Sequence, residues 1–567
     1  MFTYLSKEER LIMTPDNYIE LADILFGNEN LKTPEEYEEL YPYRKLSGKA
    51  EVTRLAPSPT GFIHLGNLYS ALADERIAHV RDGVFYLRIE DTDAKRKVDG
   101  AVELVIDSLK YFGIEFDEGA GLDDDAPVNV YGPYIQSERK EIYHTYAKEL
   151  VSKGLAYPCF CTEEELEAIR NAQEDAKELT GYYGKYAVWR DKSLDEIKEA
   201  LSAGKEYVLR LRSQGTPDKE FEFEDEIKGK VNLPENIHDV VILKKDGIPT
   251  YHFAHAVDDH LMRTTLVIRG TEWLASVPTH VELFNALGFK LPKYAHTAHM
   301  MKTDPETGGK RKLSKRSDPE MSLEFYKKDG YHPQCIKVYL LTLLNSDFEE
   351  WHRNNPDSDI NEFPFSVKKM NNSGALFDMD KLENICKNEL SQLSEEEVYE
   401  FLKTWADEYD SDKSAKYFED KEKMLEVLRL YMGVGQKRRR KDFVNARRAT
   451  ELISFFFEEE ENEADEFRQQ PDIRNAILKD YLENFDYNDD NSQWFDKLKI
   501  IAEKNGFATD RKDFKENPDK YNGETSDVAE VVRIAVTGRA NTPDLWGIIH
   551  ILGEDKMRER ITKAMER

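Results

Sequence analysis

EVTRLAPSPTGFIHLGNLYSALADERIAHV, residues 51–80, is the stretch from which the fold class is read. EVTRLA reads as a short strand, PSPTG as a turn, and the segment from Leu68 to Val80 as a helix, because an apolar run gives way to turn formers and then to helical periodicity. VFYLRI, residues 84–89, predicts a second buried strand. The next helix places Val102, Val105, Ile106, Leu109 and Phe112 on one face and stops at Gly113, where a glycine just past the last turn is favoured. Strand–helix–strand–helix is the start of a parallel sheet, so an α/β class is expected.

Working outward, residues 1–48 are polar, Glu-rich and helical in part by pattern, with no nameable chemistry. A charged, helix-rich pattern follows over 155–235. DVVILKKDGIPTYHFA (239–254) then reads as two strands around the turn signal Asp246-Gly247, and TTLVIR (264–269) as another strand. From about residue 325 the periodicity is almost wholly helical. The acidic run from Glu458 to Glu466 reads as a solvated face or loop.

With 567 residues the chain exceeds the ~100–200 of one domain, so several domains are expected. Its opening, MFTYLSKEERLIM, mixes charged and apolar residues, and no later apolar run approaches the ~18 needed to cross a bilayer. Neither secretion nor membrane insertion is expected. Four cysteines are too few for a disulfide framework, which suits a reducing cytoplasm. Lys+Arg of 80 against Asp+Glu of 111 gives a net charge of −31, which argues against a polyanionic partner on average. A polyanion, however, feels local potential within ~8 Å. Two basic clusters therefore outrank the total: Lys310-Arg311-Lys312 with Lys315-Arg316, and Lys437 to Lys441 with Arg447-Arg448.

RLAPSPTG (54–61) and His64-Leu65-Gly66-Asn67 fall between the first strand and the first helix, where an open parallel sheet binds ligands. Glycines let backbone approach a phosphate, the helix N-terminus offers unpaired N–H groups, and His64 can donate to a phosphate oxygen. Far along the chain, Lys312-Leu313-Ser314-Lys315-Arg316 supplies mobile cations. Taken together the two motifs suit attack of a carboxylate on ATP, since negative charge builds on the triphosphate in the transition state. Mg²⁺ can arrive with the ATP, and no protein metal ligand is required.

The sequence resembles the class I aminoacyl-tRNA synthetases, whose signatures are written HIGH and KMSKS. More narrowly, RLAPSPTG, RIEDTD (88–93), YGPYIQSER (131–139), PTYHFAHAVDDHLM (249–262) and IRGTEW (268–273) look like the bacterial glutamyl-tRNA synthetase family, in matching order and spacing. The likeness is strong over 51–325 and weaker beyond, where TGRANTPDLWGIIHILG resembles that family's C-terminal helices. The resemblance implies a Rossmann-like catalytic domain in two halves, 49–150 and 238–325, with an acceptor-end-binding insertion at 151–237. It further implies a helical stem-contact region at 326–395 and an α-helical anticodon-binding region at 396–567; residues 1–48 are left as an extension of unknown role. The implied reaction joins L-glutamate to tRNA-Glu at the expense of ATP, by a monomer in the cytoplasm, with Mg²⁺ carried on the nucleotide.

Carried over, the family's amino-acid pocket falls on Arg54, Ser58, Glu90, Tyr251 and Arg269. Two arginines, one carboxylate and hydroxyl donors can balance the two carboxylates and one ammonium of glutamate. ATP contacts fall on His64, Gly66, Glu272, Lys312 and Lys315, with His64, Lys312 and Lys315 taken as catalytic. Trp273 reads equally well as a core residue or as one that places the adenosine or the tRNA end.

Three departures stand out. Asn67 replaces the last His of HIGH, and its amide can still donate. Cys159 and Cys161 resemble half of a zinc site, but Tyr186 and Val188 occupy the positions of the other ligands, so no metal is expected. In MGVGQKRRRKDF, Gln436 aligns where many members carry an anticodon-reading arginine, with Arg438 and Arg439 beside it. Glutamine lacks arginine's charge and fork, so relaxed discrimination between tRNA-Glu and tRNA-Gln is expected. The competing readings are a glutaminyl-tRNA synthetase, whose signature resembles PEPNGYLHIGH instead, and a non-catalytic tRNA-binding paralogue.

Overall fold

The computed structural model of the chain describes residues 13–27, 29–59, 63–93, 98, 100–122, 130–314, 317–372, 374–458 and 465–566. The chain divides into two units, Met1–Leu323 with Lys337–Asp378, and Glu324–Ile336 with Met379–Arg567.

The first unit opens on α1 (Pro15–Phe26) and α2 (Pro34–Leu40). Each is capped by a threonine, Thr14 or Thr33, that accepts from the N–H three residues on, and each starts with a proline whose missing N–H costs nothing there. The extension is tied down further along. Tyr41 Oη donates to the Gly132 carbonyl at 2.8 Å, and Glu38 takes His260 at 2.5 Å and Arg263 at 2.7 Å.

The sheet at the core is β1 (Val52–Leu55), α3 (Leu65–His79), β2 (Val84–Leu87), α4 (Ala101–Tyr111) and β3 (Glu118–Gly119) in succession. β1 and β2 pair in parallel, from Val52 opposite Val84 to Leu55 opposite Leu87, and β3 joins β2 in parallel. Every residue of β1 is buried, as suits a parallel strand inside a sheet. α4 turns Val105 and Leu109 inward and ends before Gly113, whose φ of +67° is the left-handed conformation glycine adopts freely.

After α5 (Lys140–Ser152) the chain makes β4 (Ala156–Cys159), α6 (Glu163–Ala176), α7 (Leu194–Ser202), β5 (Val208–Leu211), β6 (Glu220–Asp225), β7 (Gly229–Pro234) and β8 (Val241–Leu243). The stretch expected to be helix-rich thus carries four strands. β4, β5 and β8 form one antiparallel sheet, and β6 and β7 a hairpin. In β6, Glu220-Phe221-Glu222-Phe223-Glu224 alternates with period two, a strand signal masked by its charge.

A second expectation fails just beyond. Only the first of the two strands predicted around Asp246-Gly247 forms; the second is α8 (Tyr251–Leu261). Phe253, Ala254, Val257 and Leu261 recur at helical spacing, and that long pattern outweighs the short apolar run. β9 (Leu266–Gly270), α9 (Val277–Leu287) and β10 (Lys293–Thr297) return to the parallel plan, with β9 and β10 paired from Leu266 opposite Lys293. Thr265 N–H donates to the Val52 carbonyl at 3.0 Å, which sets β9 beside β1. β11 (Met300–Thr303) and β12 (Lys310–Lys312) form an antiparallel hairpin leading into the second basic motif.

The second unit is helical, with principal helices at Glu395–Tyr409, Lys421–Met432, Ala446–Ile453, Pro471–Asn484, Asn491–Lys504, Thr525–Thr537, Leu545–Leu552 and Glu554–Glu566. Val528, Val531, Val532, Ile548, Ile549, Met557 and Ile561 are buried in its C-terminal part.

Candidate active site

A cavity of about 170 Å³ opens at the C-terminal ends of β1 and β9, against α3 and the first turn of α8. Its lining includes Arg54 to Pro57, Asn67, Ser70, Asp74, Glu90, Tyr251, Ile268 to Gly270 and Trp273. Strand ends in a parallel sheet leave such a crevice because the connections depart to opposite faces.

Its floor is charged and buried. Arg88 donates to Asp259 at 2.6 Å and to Glu90 at 3.1 Å, and Arg54 reaches the same Asp259 oxygen at 3.3 Å. Burial works to raise the Asp259 carboxyl, but Arg54 and Arg88 outweigh it and hold the group well below the usual carboxylate range. Glu90 goes the other way: burial raises it despite Arg88 and Arg54. Burial also pushes the Asp74 carboxyl well up, with Arg54 opposing, and no side chain hydrogen-bonds either of its buried oxygens. Of the three guanidinium groups here, Arg54 pairs with Asp259 and Arg88 with Asp259 and Glu90, whereas Arg269 pairs with no carboxylate among the described residues.

Arg269 is held differently. Its Nε–H donates to His296 Nε2 at 3.0 Å, one Nη1–H to His280 Nδ1 at 3.1 Å, another toward Tyr251 Oη at 3.5 Å, and Nη2 to the Trp273 carbonyl at 3.3 Å. The Tyr251 and Trp273 rings lie 4.4 Å apart in the cavity wall.

At the head of α3, His64 is the N-cap. Its Nδ1 accepts from Asn67 N–H at 3.2 Å, while Asn67 Oδ1 accepts from His64 N–H at 3.1 Å. In the neutral ring this puts the proton on Nε2. Asn67 therefore works as the reciprocal cap of the helix. A Cβ on Gly66 would stand 3.0 Å from His64 Nδ1 and 3.1 Å from its Cε1, so the glycine clears the imidazole.

Four of the five expected amino-acid contacts, Arg54, Glu90, Tyr251 and Arg269, come together here. Ser58 is exposed, and Glu272 is half exposed beside His299 Nδ1 at 3.5 Å; neither lines the cavity. Lys312 is exposed at the end of β12. Lys315 lies outside the described residues, as does most of the acidic run at Glu458 to Glu466. The flanks of the Lys315 loop are anchored: Arg311 grips both Asp318 oxygens at 2.6 Å and Ser314 N–H donates to the same carboxylate at 2.8 Å. In the second unit, Gln436, Arg438 and Arg439 are exposed in the loop after Lys421–Met432, entered through Gly433 and Gly435 at φ +64° and +80°. Cys161 Sγ lies 3.6 Å from Tyr182 Oη, and among the described residues no cluster of three His, Cys, Asp or Glu is placed to hold a metal. Nor is any helix among them long and apolar enough to cross a membrane.

Asp74, His280 and His296 escaped the sequence reading. Asp74 sits in a helix read for its apolar residues, and the two histidines belong to none of the quoted motifs.

The catalytic-domain model of the class I tRNA synthetases (E and Q) matches residues 51–384, more than half of the chain. The chain belongs to that family. An anticodon binding domain matches residues 439–565, beginning at Arg439 and three residues beyond Gln436. The chain is 53% identical over 552 residues to a glutamate–tRNA ligase of Acetivibrio thermocellus, covering 97% of this chain and all of that one. It is 46% identical over 555 residues to one from Clostridium perfringens, again covering 97% and all. Among solved structures, a glutamate tRNA ligase from Elizabethkingia meningosepticum in complex with its amino acid superposes with a TM-score of 0.73 at 27% identity, over 91% of this chain and 99% of that one.

Proposed function

We propose that this class I synthetase activates L-glutamate with ATP and transfers the glutamyl group to the 3′ end of tRNA-Glu. The observation that carries the reading is Arg269, a buried guanidinium in the cavity wall that no carboxylate of the described residues pairs. The second carboxylate of glutamate can pair with it, whereas the amide of glutamine brings no charge. Arg54 and Arg269 take the two carboxylates, Glu90 the ammonium, and Tyr251 and Ser58 supply hydroxyl groups. The α-carboxylate oxygen attacks the α-phosphorus of ATP and pyrophosphate leaves. A terminal ribose hydroxyl of tRNA then attacks the carbonyl carbon of glutamyl-adenylate and AMP leaves.

His64, Lys312 and Lys315 meet the charge that develops on the phosphates, with Gly66 and Glu272 as further ATP contacts and Mg²⁺ arriving on the nucleotide. No zinc takes part in this reading, because Tyr186 and Val188 cannot complete a tetrahedral site with Cys159 and Cys161. The protein acts as a monomer in the cytoplasm. Residues 151–237 hold the acceptor end, 326–395 the stem and 396–567 the anticodon, with Gln436, Arg438 and Arg439 as the base-reading segment.

Charging of separately transcribed tRNA-Glu and tRNA-Gln with labelled glutamate or glutamine tests the proposal. Glutamate on tRNA-Glu is the expected product, and glutamine on tRNA-Gln would overturn it. Comparable glutamate charging of both tRNAs would support the Gln436 reading, and a preference above ~100-fold for tRNA-Glu would sink it.

A further inference from the structure

Arg269 is a buried guanidinium with 6% of its surface exposed, and no carboxylate of the described residues lies within ion-pairing distance. Arg54 and Arg88 share Asp259, so the contrast is internal to one cavity. What Arg269 meets instead are two imidazole nitrogens, His296 Nε2 and His280 Nδ1. Arginine can only donate, so both nitrogens must be lone pairs and both rings neutral in this arrangement.

The tautomers follow. His296 carries its proton on Nδ1, which donates to Asp225 Oδ2 at 2.6 Å. His280 carries its proton on Nε2, which donates to His252 Nδ1 at 2.9 Å. Both rings are fully buried, and burial followed by nearby cations lowers the His280 ring well below the ordinary histidine range. Burial also lowers His296, although its hydrogen bond to Asp225 acts in the opposite direction. The Asp225 carboxylate therefore stands one imidazole away from Arg269, on the far side of His296.

We infer that His280 and His296 are positioning and specificity-determining residues, which hold Arg269 in place as neutral acceptors and so leave its charge unspent for a substrate carboxylate. A carboxylate in either place would fix the guanidinium as well, but would cancel the charge that separates a carboxylate substrate from its amide. The inference rests on the glutamate-charging reading above, and it adds two residues that do not line the cavity.

Charge and acceptor capacity can be separated at one position. His280→Gln keeps a neutral acceptor, and His280→Glu keeps an acceptor but adds the charge. With wild-type charging of glutamate as the reference, the Gln variant should hold its KM for glutamate within about threefold, while the Glu variant should raise it at least ~100-fold, with the KM for ATP within about threefold in both. The Glu variant should also lose most of its preference for glutamate over glutamine. His252→Glu covers the case in which a buried glutamate prevents folding, because position 252 is only partly buried, on the first turn of α8. A carboxylate there favours the His280 imidazolium, whose Nδ1–H then faces Arg269, and the KM for glutamate should rise about tenfold over His252→Gln. Equal glutamate KM values for the Glu and Gln variants at 280, or at 252 where 280 does not fold, would overturn the inference. Absence of glutamate charging by the wild type would instead overturn the proposed function, and is read before any variant.

Discussion

Asp259 serves two arginines, while Arg269 pairs with no carboxylate among the described residues. The arginines were legible as residues, since Arg54 lies in one recognisable strand and Arg269 ends another. Their different charge states were not, because Asp259 on α8 and His296 on β10 reach them only through folding. The same holds for Gly66, which reads in sequence as room for a phosphate and in the structure lies under the His64 ring. Gly66→Ala should therefore push the imidazole aside by a few tenths of an ångström. Adenylate formation should slow about tenfold with the KM for glutamate unchanged, which pyrophosphate exchange in the presence of tRNA would check.

Two elements act by holding others. Arg311 and Ser314 before Lys315 bind Asp318 after it, and Arg311 first, then Ser314 N–H, keep the Asp318 carboxyl well below its usual range against burial. Asp318→Asn should loosen that stem. Trypsin should cut within 310–316 faster, and kcat should fall about tenfold at unchanged glutamate KM. The N-terminal extension, without chemistry in the sequence, is anchored through Glu38 to His260 and Arg263 at the end of α8. Because Glu38 is more than a third exposed, solvent screens the pair. Glu38→Gln should cost only about 1 kcal/mol, a drop of ~2–4 °C in the first thermal transition, measurable by calorimetry.

At the scale of the molecule, histidine burial sets the response to acid. Burial lowers His238, His252, His255, His260, His280, His296 and His332, with His255 down to about 4. A histidine depressed in the folded state is neutral there while the unfolded chain takes a proton below the ordinary 6.5. Stability is thus present above that value and lost as pH falls through the folded ones. His79 is the opposite case, raised first by its hydrogen bond to Asp117; its contribution is present below 6.5 and lost as pH climbs through the raised value. Seven against one gives a clear sign: the first thermal transition should fall by more than about 5 °C between pH 7 and pH 5, as a thermal scan across that range would show.

The parallel strands, the helix after β1, the helical last third and the two basic motifs were legible in the sequence, because periodicity and turn residues are local properties. The α8 helix and the strands of the 156–234 stretch were missed, since short apolar runs and charged alternating strands leave the local pattern ambiguous. The sequence by itself determined which charges are available to a dicarboxylate substrate and in what order along the chain they occur. Tertiary structure alone decided which of those charges cancel. An ion pair forms where two chain segments hundreds of residues apart come within a few ångströms, as Arg54 and Asp259 do, and no spacing along the chain records that distance.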